Sequence, residues 1–275
     1  MEFFMPSLSA SLILSFCLTS GFLCAPLQAA KCDKEGNAIM KEQDKRQSAK
    51  TEEEKQKIVI QDVKSKKKEE RDLVRFGIKP KENDSRSVLY FNSPATIKGA
   101  GLLSWKEQGE ENQWLYIPEI KKLQRIASGS RKEYFMGTDF TYADLEGENL
   151  KKNNYTCQGE MACPNKQGQC YIIEAKPINE SESRNIGYSK RMLLVNKDKL
   201  ITHKIVFFDL KGAKLKTAEY VQWEQIGKLW RPNLAIMDRH GVQKTFIKVN
   251  SRKLNKPIDD LVFEKRFLEK EMHIK

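Results

Sequence analysis

From about Gln56 onward the chain alternates short apolar-rich runs with polar turns. The runs are QKIVIQDV, RDLVRFGIK, RSVLYFN, GLLSWKE, QWLYIPE, CYIIEAKP, KRMLLVNK, ITHKIVFFDL, TAEYVQWEQI, LAIMDR and KTFIKVN. Stretches such as KPKENDS, EQGEEN, NKDK, LKGAK and DRHG separate them. Runs of this length between turn-forming residues predict antiparallel strands joined by hairpins in one large meander. Period two assigns faces: Val74, Phe76 and Ile78 share one, and Ile201, Ile205 and Phe207 lie together with His203. Trp114 and Tyr116 oppose Leu115 and Ile117. Several runs are apolar on both faces, which fits either a two-layer sandwich or a curved sheet around an apolar interior.

Helix signals are few. DKEGNAIMKEQDKRQSA predicts a short helix anchored by Ile39 and Met40. SPATIKG offers Ser93 as N-cap, Pro94 in the first turn and Gly99 as the stop. DFTYADLEG offers a capping-box-like start at Thr141 and Asp144 and a stop at Gly147. PIDDLVFEKRFLEKE places Leu261, Phe263 and Phe267 as packing residues. One stretch fits no template: EYFMGTDFTYADLEG crowds Tyr134, Phe135, Met136, Phe140 and Tyr142 into a connection between elements.

The first segment reads differently. LSASLILSFCLTSGFLCAPLQAA, Leu8 to Ala30, is apolar and uncharged and ends in small residues, the pattern of a cleavable secretory signal peptide over 1–30. A single domain over 31–275 follows, expected to be soluble in the periplasm and not lipid-anchored, because Lys31 directly precedes Cys32. The whole chain carries 49 Lys and Arg against 37 Asp and Glu; cleavage removes Glu2 and leaves 49 − 36 = +13. A basic balance favours an acidic partner, and export argues against nucleic acid in favour of transient contact with a membrane surface. The densest run, Lys64 to Lys68, is followed at once by Glu69 and Glu70 and reads as a solvated hairpin end. Four cysteines remain after cleavage, Cys32, Cys157, Cys163 and Cys170. An even count in an exported chain predicts two disulfides, with three connectivities open.

Catalytic patterns are missing. There is no HExxH and no GxSxG, and GAG at Gly99–Gly101 lacks the third glycine of a dinucleotide loop. Asp139 and Asp144 read as capping and turn residues rather than an acid pair, and His203 as a core histidine. The cysteine spacings, with no nearby His in sequence, do not suit zinc. The expectation is no enzyme, no cofactor and no metal.

The block from Ser87 to Leu145, SVLYFNSPATIKGAGLLSWKEQGEENQWLYIPEIKKLQRIASGSRKEYFMGTDFTYADL, closely resembles the LolA-like family of outer-membrane lipoprotein-sorting proteins, in the branch carrying FMGTDFTYEDL. CYIIEAKP, YSKRMLLVNKD, KIVFFDLKGAKLK, IGKLWRP and LNKPIDDLVFEKRFL extend the resemblance over roughly residues 71–268. It implies a half-open antiparallel β-barrel of about eleven strands around an apolar cavity, with a lid of short helices. It also implies a non-enzymatic periplasmic carrier of lipid or lipoprotein acyl chains, in some relatives associated with a resistance–nodulation–division transporter. The lysine-rich hairpin and the insertion CQGEMACPNKQGQC depart from the dedicated carriers, so the cargo does not transfer with the fold. The competing reading is an envelope adaptor whose barrel is filled by its own side chains. Candidate ligand-lining residues are Phe91, Trp105, Trp114, Tyr116, Phe135, Met136, Phe140, Tyr142 and Phe207.

Overall fold

The computed structural model describes residues 32–81 and 84–274. The expected signal peptide lies outside the described residues. All eleven strand runs are present, and two more strands join them. The thirteen are β1 (Thr51–Asp62), β2 (Lys68–Lys81), β3 (Asp84–Ser93), β4 (Gly101–Glu107), β5 (Glu110–Ile117), β6 (Lys122–Arg125), β7 (Asn153–Ala162), β8 (Gln169–Pro177), β9 (Lys190–Asn196), β10 (Thr202–Phe208), β11 (Lys214–Ile226), β12 (Leu229–Arg239) and β13 (Gln243–Leu254). Among the described residues four short α-helices accompany them: α1 (Gly36–Gln47), α2 (Tyr142–Leu145), α3 (Glu180–Ile186) and α4 (Lys265–Glu269).

The strands form one antiparallel sheet in the order β6-β5-β4-β3-β2-β1-β13-β12-β11-β10-β9-β8-β7. This is not the single meander that hairpin spacing predicts. Two meanders, β1–β6 and β7–β13, are welded by the pairing of β1 with β13, from Glu52↔Leu254 to Asp62↔Gln243. The edges are β6 and β7, and the sheet is an open barrel. Residues 126–152 therefore run from one edge to the other across the concave side, and EYFMGTDFTYADLEG lies in this strap.

The inner face holds two apolar clusters. One gathers Ile173, Leu193, Ile205, Phe207 and Met237 from β8–β12; the other gathers Ile58, Leu73, Phe91 and Leu102 from β1–β4. A third cluster, Val88, Leu103, Trp114, Tyr116 and Leu268, sits on the outer face of β3–β5 under the C-terminal segment. Gly101 makes that cover possible, since a Cβ there would meet Leu268 Cδ2 at 2.8 Å.

The Lys64–Lys68 run does end the β1–β2 hairpin. The capping box at Thr141 and Asp144 starts α2 as its sequence predicts. SPATIKG, by contrast, forms a turn and not a helix. The Ser93 hydroxyl that would cap it is used between strands, donating to the Asp72 carboxylate at 2.8 Å. Disulfides join Cys32 to Cys157 and Cys163 to Cys170. The first ties the segment before α1 to β7, and the second closes the β7–β8 hairpin. Among the described residues no helix is long and apolar enough to cross a membrane.

Candidate functional site

The strap is held to both halves of the barrel. Phe135 stacks on Phe91 at 5.9 Å and meets Tyr142 edge-on at 5.6 Å. The tight turn after it needs positive φ at Met136 and Gly137 (45° and 76°), which glycine adopts without a Cβ penalty. Arg71 Nη1 donates to the Met136 carbonyl at 2.6 Å, and Gln113 Nε2 to the Tyr142 carbonyl at 3.0 Å. From the other half, Lys216 on β11 is fully buried. Its amine donates to the Asp139 carbonyl (2.8 Å) and the Asp144 carboxylate (2.6 Å), and faces the rings of Tyr134, Tyr188 and Phe207. Thr245 Oγ1 donates to Asp139 at 2.7 Å. Burial pushes the Asp139 carboxyl up, against the pull of Thr245 and Arg239. Asp139 and Asp144 thus fasten the strap.

Two cavities with apolar walls lie between strap and sheet. The larger, about 570 Å³, has an apolar wall of Leu193, Ile201, Ile205, Phe207 and Met237, and Met40 and Gln43 of α1 cover part of it. The smaller, about 360 Å³, is bounded by Ile58, Leu73, Leu102, Phe135 and Ile247. Both fall within the ~300–1,000 Å³ usual for small-molecule sites. They adjoin, and Phe140 lines both.

The larger cavity also has a charged wall. Arg131 pairs with Glu111, Glu146 and Glu182, and Lys152 pairs with Glu111 and Glu182. Three carboxylates thus share two cations. Burial, together with the neighbouring Glu111 charge, pushes Glu146 up to about 7, so its proton relieves the imbalance near neutrality. Arg191 makes a two-nitrogen pair with Glu148 at 2.8 and 3.0 Å. Burial opposes ionisation of Glu148, but Arg191 and Tyr155 outweigh it and hold the carboxyl below its usual range.

Of the nine candidate lining residues, Phe135, Phe140 and Phe207 border these cavities. Phe91, Met136 and Tyr142 pack in the apolar cluster behind the smaller one. Trp105, Trp114 and Tyr116 are elsewhere, on the outer face. There the Trp105 indole donates to the Phe263 carbonyl at 2.8 Å, and the Tyr116 hydroxyl to Glu271 at 2.8 Å. Period two pairs Trp114 with Tyr116 but does not say which side is inside. The polar residues of the cavity were not anticipated. The available signal was alternation: Lys216, Ala218 and Tyr220 share a strand face, as do Glu52, Glu54, Ile58 and Ile60.

One cluster of metal-ligating type occurs among the described residues: Cys163, Cys170 and His203 lie within 4.8 Å of one another. The two sulfurs are bonded to each other and are not free ligands. Burial, then the nearby Lys199, lowers the His203 pKa.

A family model described as "-like: Uncharacterized protein" matches residues 83–270. An outer membrane lipoprotein-sorting protein domain from Vibrio parahaemolyticus superposes with a TM-score of 0.79 at 23% identity, covering 85% of this chain and 98% of that one. A LolA superfamily protein from Nitrosomonas europaea gives a TM-score of 0.67 at 17% identity, covering 85% and 99%. The chain belongs to the family of this model, and its fold is that of the LolA superfamily. A DUF1329 family protein from Desulfovibrio piger superposes with a TM-score of 0.78 at 21% identity over 85% and 97% of the two chains. At these identities the structural likenesses establish the fold. No curated protein matches this chain.

Proposed function

We propose that this LolA-like protein is a non-enzymatic periplasmic carrier that holds the acyl chains of a lipid or lipoprotein and passes them between envelope membranes, or to or from a transporter of the resistance–nodulation–division class. The observation that carries the reading is the pair of cavities left between strap and sheet, with apolar walls and Phe140 between them. Each buried CH₂ gains roughly 0.8 kcal/mol. A sixteen-carbon chain thus gains on the order of 10 kcal/mol before ordering costs. A surface of net positive charge favours transient contact with anionic membranes. The likeness to a Vibrio protein described as a lipoprotein-sorting domain supports the same class of cargo.

Phe140 is the residue on which the reading turns. Phe140→Ala is expected to weaken binding of a fluorescent fatty acid while costing less than the roughly 3–5 kcal/mol of a deep core Phe→Ala. Phe140→Glu is expected to weaken binding further, because a carboxylate would face hydrocarbon. A Phe140→Ala protein that folds and binds with unchanged affinity contradicts the carrier site. Unfolding of that variant, with no lipid bound by the wild type, supports the filled-barrel adaptor instead.

A further inference from the structure

We propose that the two cavities form one bipartite site for a two-chain anionic lipid, one acyl chain in each, with Arg75 receiving the phosphate where they meet. This rests on the acyl-carrier reading and narrows its substrate class. The junction is defined by residues that border both spaces, among them Arg75, Ser87, Phe140, Tyr220 and Arg231. On either side the walls are apolar, Leu193, Ile205 and Met237 in one and Ile58, Leu102 and Ile247 in the other. A ligand occupying both needs a branch point at the junction, which is where the polar donors are.

The arginines at the junction are not engaged alike. Two carboxylates on β1, Glu52 and Glu54, face three arginines. Arg231 Nε donates to Glu52 at 2.9 Å, and Arg252 Nε to Glu54 at 2.6 Å. The other Arg252 nitrogens donate to Asn233 Oδ1 and the Pro232 carbonyl. Arg75 is left at 3.9 and 3.7 Å from these carboxylates, beyond hydrogen-bond reach. Its guanidinium donates to none of the described residues. The other carboxylates nearby are engaged: Asp144 by Lys216, Glu146 by Arg131 and Glu148 by Arg191. The Ser87 and Tyr220 hydroxyls likewise have no hydrogen-bond partner among the described residues. Three donors therefore border both cavities without a hydrogen-bond acceptor among the described residues, Arg75 keeping only its longer ion pairs with Glu52 and Glu54. A planar guanidinium fork matches two oxygens of a phosphate, and an anion drawn off the membrane needs such a partner to offset its desolvation.

The test is displacement of a fluorescent fatty acid from the purified protein by three probes. These are dioleoylphosphatidylglycerol (two chains, anionic), dioleoylglycerol (two chains, uncharged) and oleoyl-lysophosphatidylglycerol (one chain, anionic). Wild type is expected to prefer the first over each of the others by about tenfold or more, the scale of a charge-assisted hydrogen-bond pair. Arg75→Gln is expected to abolish the preference over dioleoylglycerol while leaving dioleoylglycerol binding unchanged. Ala235→Phe, which fills the smaller cavity, is expected to weaken the two-chain lipids and spare the one-chain lipid. Val249→Phe serves the same end if the first variant does not fold. Native mass spectrometry with palmitate alone needs no variant: two palmitates per protein are expected, one per cavity. An undiminished phosphatidylglycerol preference in Arg75→Gln, or a single palmitate at saturation, overturns the bipartite site and leaves the carrier reading intact. Failure of all probes to bind overturns both. Two fatty acids competing as well as one phosphatidylglycerol would assign the anion site to carboxylates and overturn the two-chain substrate.

Discussion

The two faces of β2–β5 carry similar apolar side chains and are covered in different ways. On the outer face the chain's own C-terminus closes over the sheet. Phe263 and Leu268 are buried, His273 packs against Tyr90 and Tyr116, and the Trp105 indole is tied down. On the inner face the strap touches the sheet at a few aromatic residues, is fastened largely by polar groups, and leaves space on either side of Phe140. A cover made of side chains that fill every gap stabilises a fold. A cover pinned at points stabilises the same sheet while leaving volume for a guest. The difference lies in the fasteners, not in the hydrophobicity of the strands.

The fasteners give the largest expected effect. Lys216→Ala leaves Asp144 and the Asp139 carbonyl without their buried donor, and is expected to cost about 3–5 kcal/mol in chemical denaturation. A loss below 1 kcal/mol would mean that the strap does not depend on this pin.

The outer cover comes next. Leu268→Ala opens a cavity against Val88, Leu103 and Gly101, with an expected cost of about 2–5 kcal/mol and no change in fatty-acid affinity measured on the folded fraction. If affinity falls with stability, the two faces are not independent and the contrast drawn above fails.

Much of this contrast was hidden in the sequence for identifiable reasons. The central strands announce themselves by apolar alternation, and all eleven were legible. The two that were not, KLQR of β6 and NNYTCQGEMA of β7, are the edges of the sheet. An edge strand has one neighbour, and charged or polar residues there discourage pairing with another chain, so its hydrophobic signal is weak. With the edges unseen, residues 126–152 looked like a loop between neighbours rather than a strap spanning the barrel. The aromatic cluster from Phe135 to Tyr142 was visible, and its placement among inner-face residues follows from that topology. Trp114 and Tyr116 show the opposite failure: their shared face was legible, but which side of the sheet it became depended on where residues 260–274 pack, and Trp105 on the next strand went with them. Arg131, Arg191 and Lys216 gave little signal because a charged residue in a basic chain reads as surface until its partners are known.

The smallest effect concerns the charged wall. Glu146 has a folded-state pKa raised above its ordinary value of 4.5, to about 7. Between those values the folded protein holds a proton that the unfolded chain has released, so stability falls as pH rises through this window and levels off above it. Glu146→Gln mimics the protonated form. The stability of wild type relative to that variant is therefore expected to drop by about 1–3 kcal/mol between pH 4.5 and 7.5. Thermal melts of both proteins across the window check this; a constant difference would remove the shared proton from the network.

Whether the inner face carries a guest is tested most directly by native mass spectrometry of the full-length protein expressed with its N-terminal segment and released gently from the cell envelope. Wild type is expected to carry co-purifying lipid with acyl chains, and Phe140→Glu to emerge folded and empty. Wild type that is consistently empty, folded and unable to take up added fatty acid would contradict the carrier and leave a barrel closed on itself.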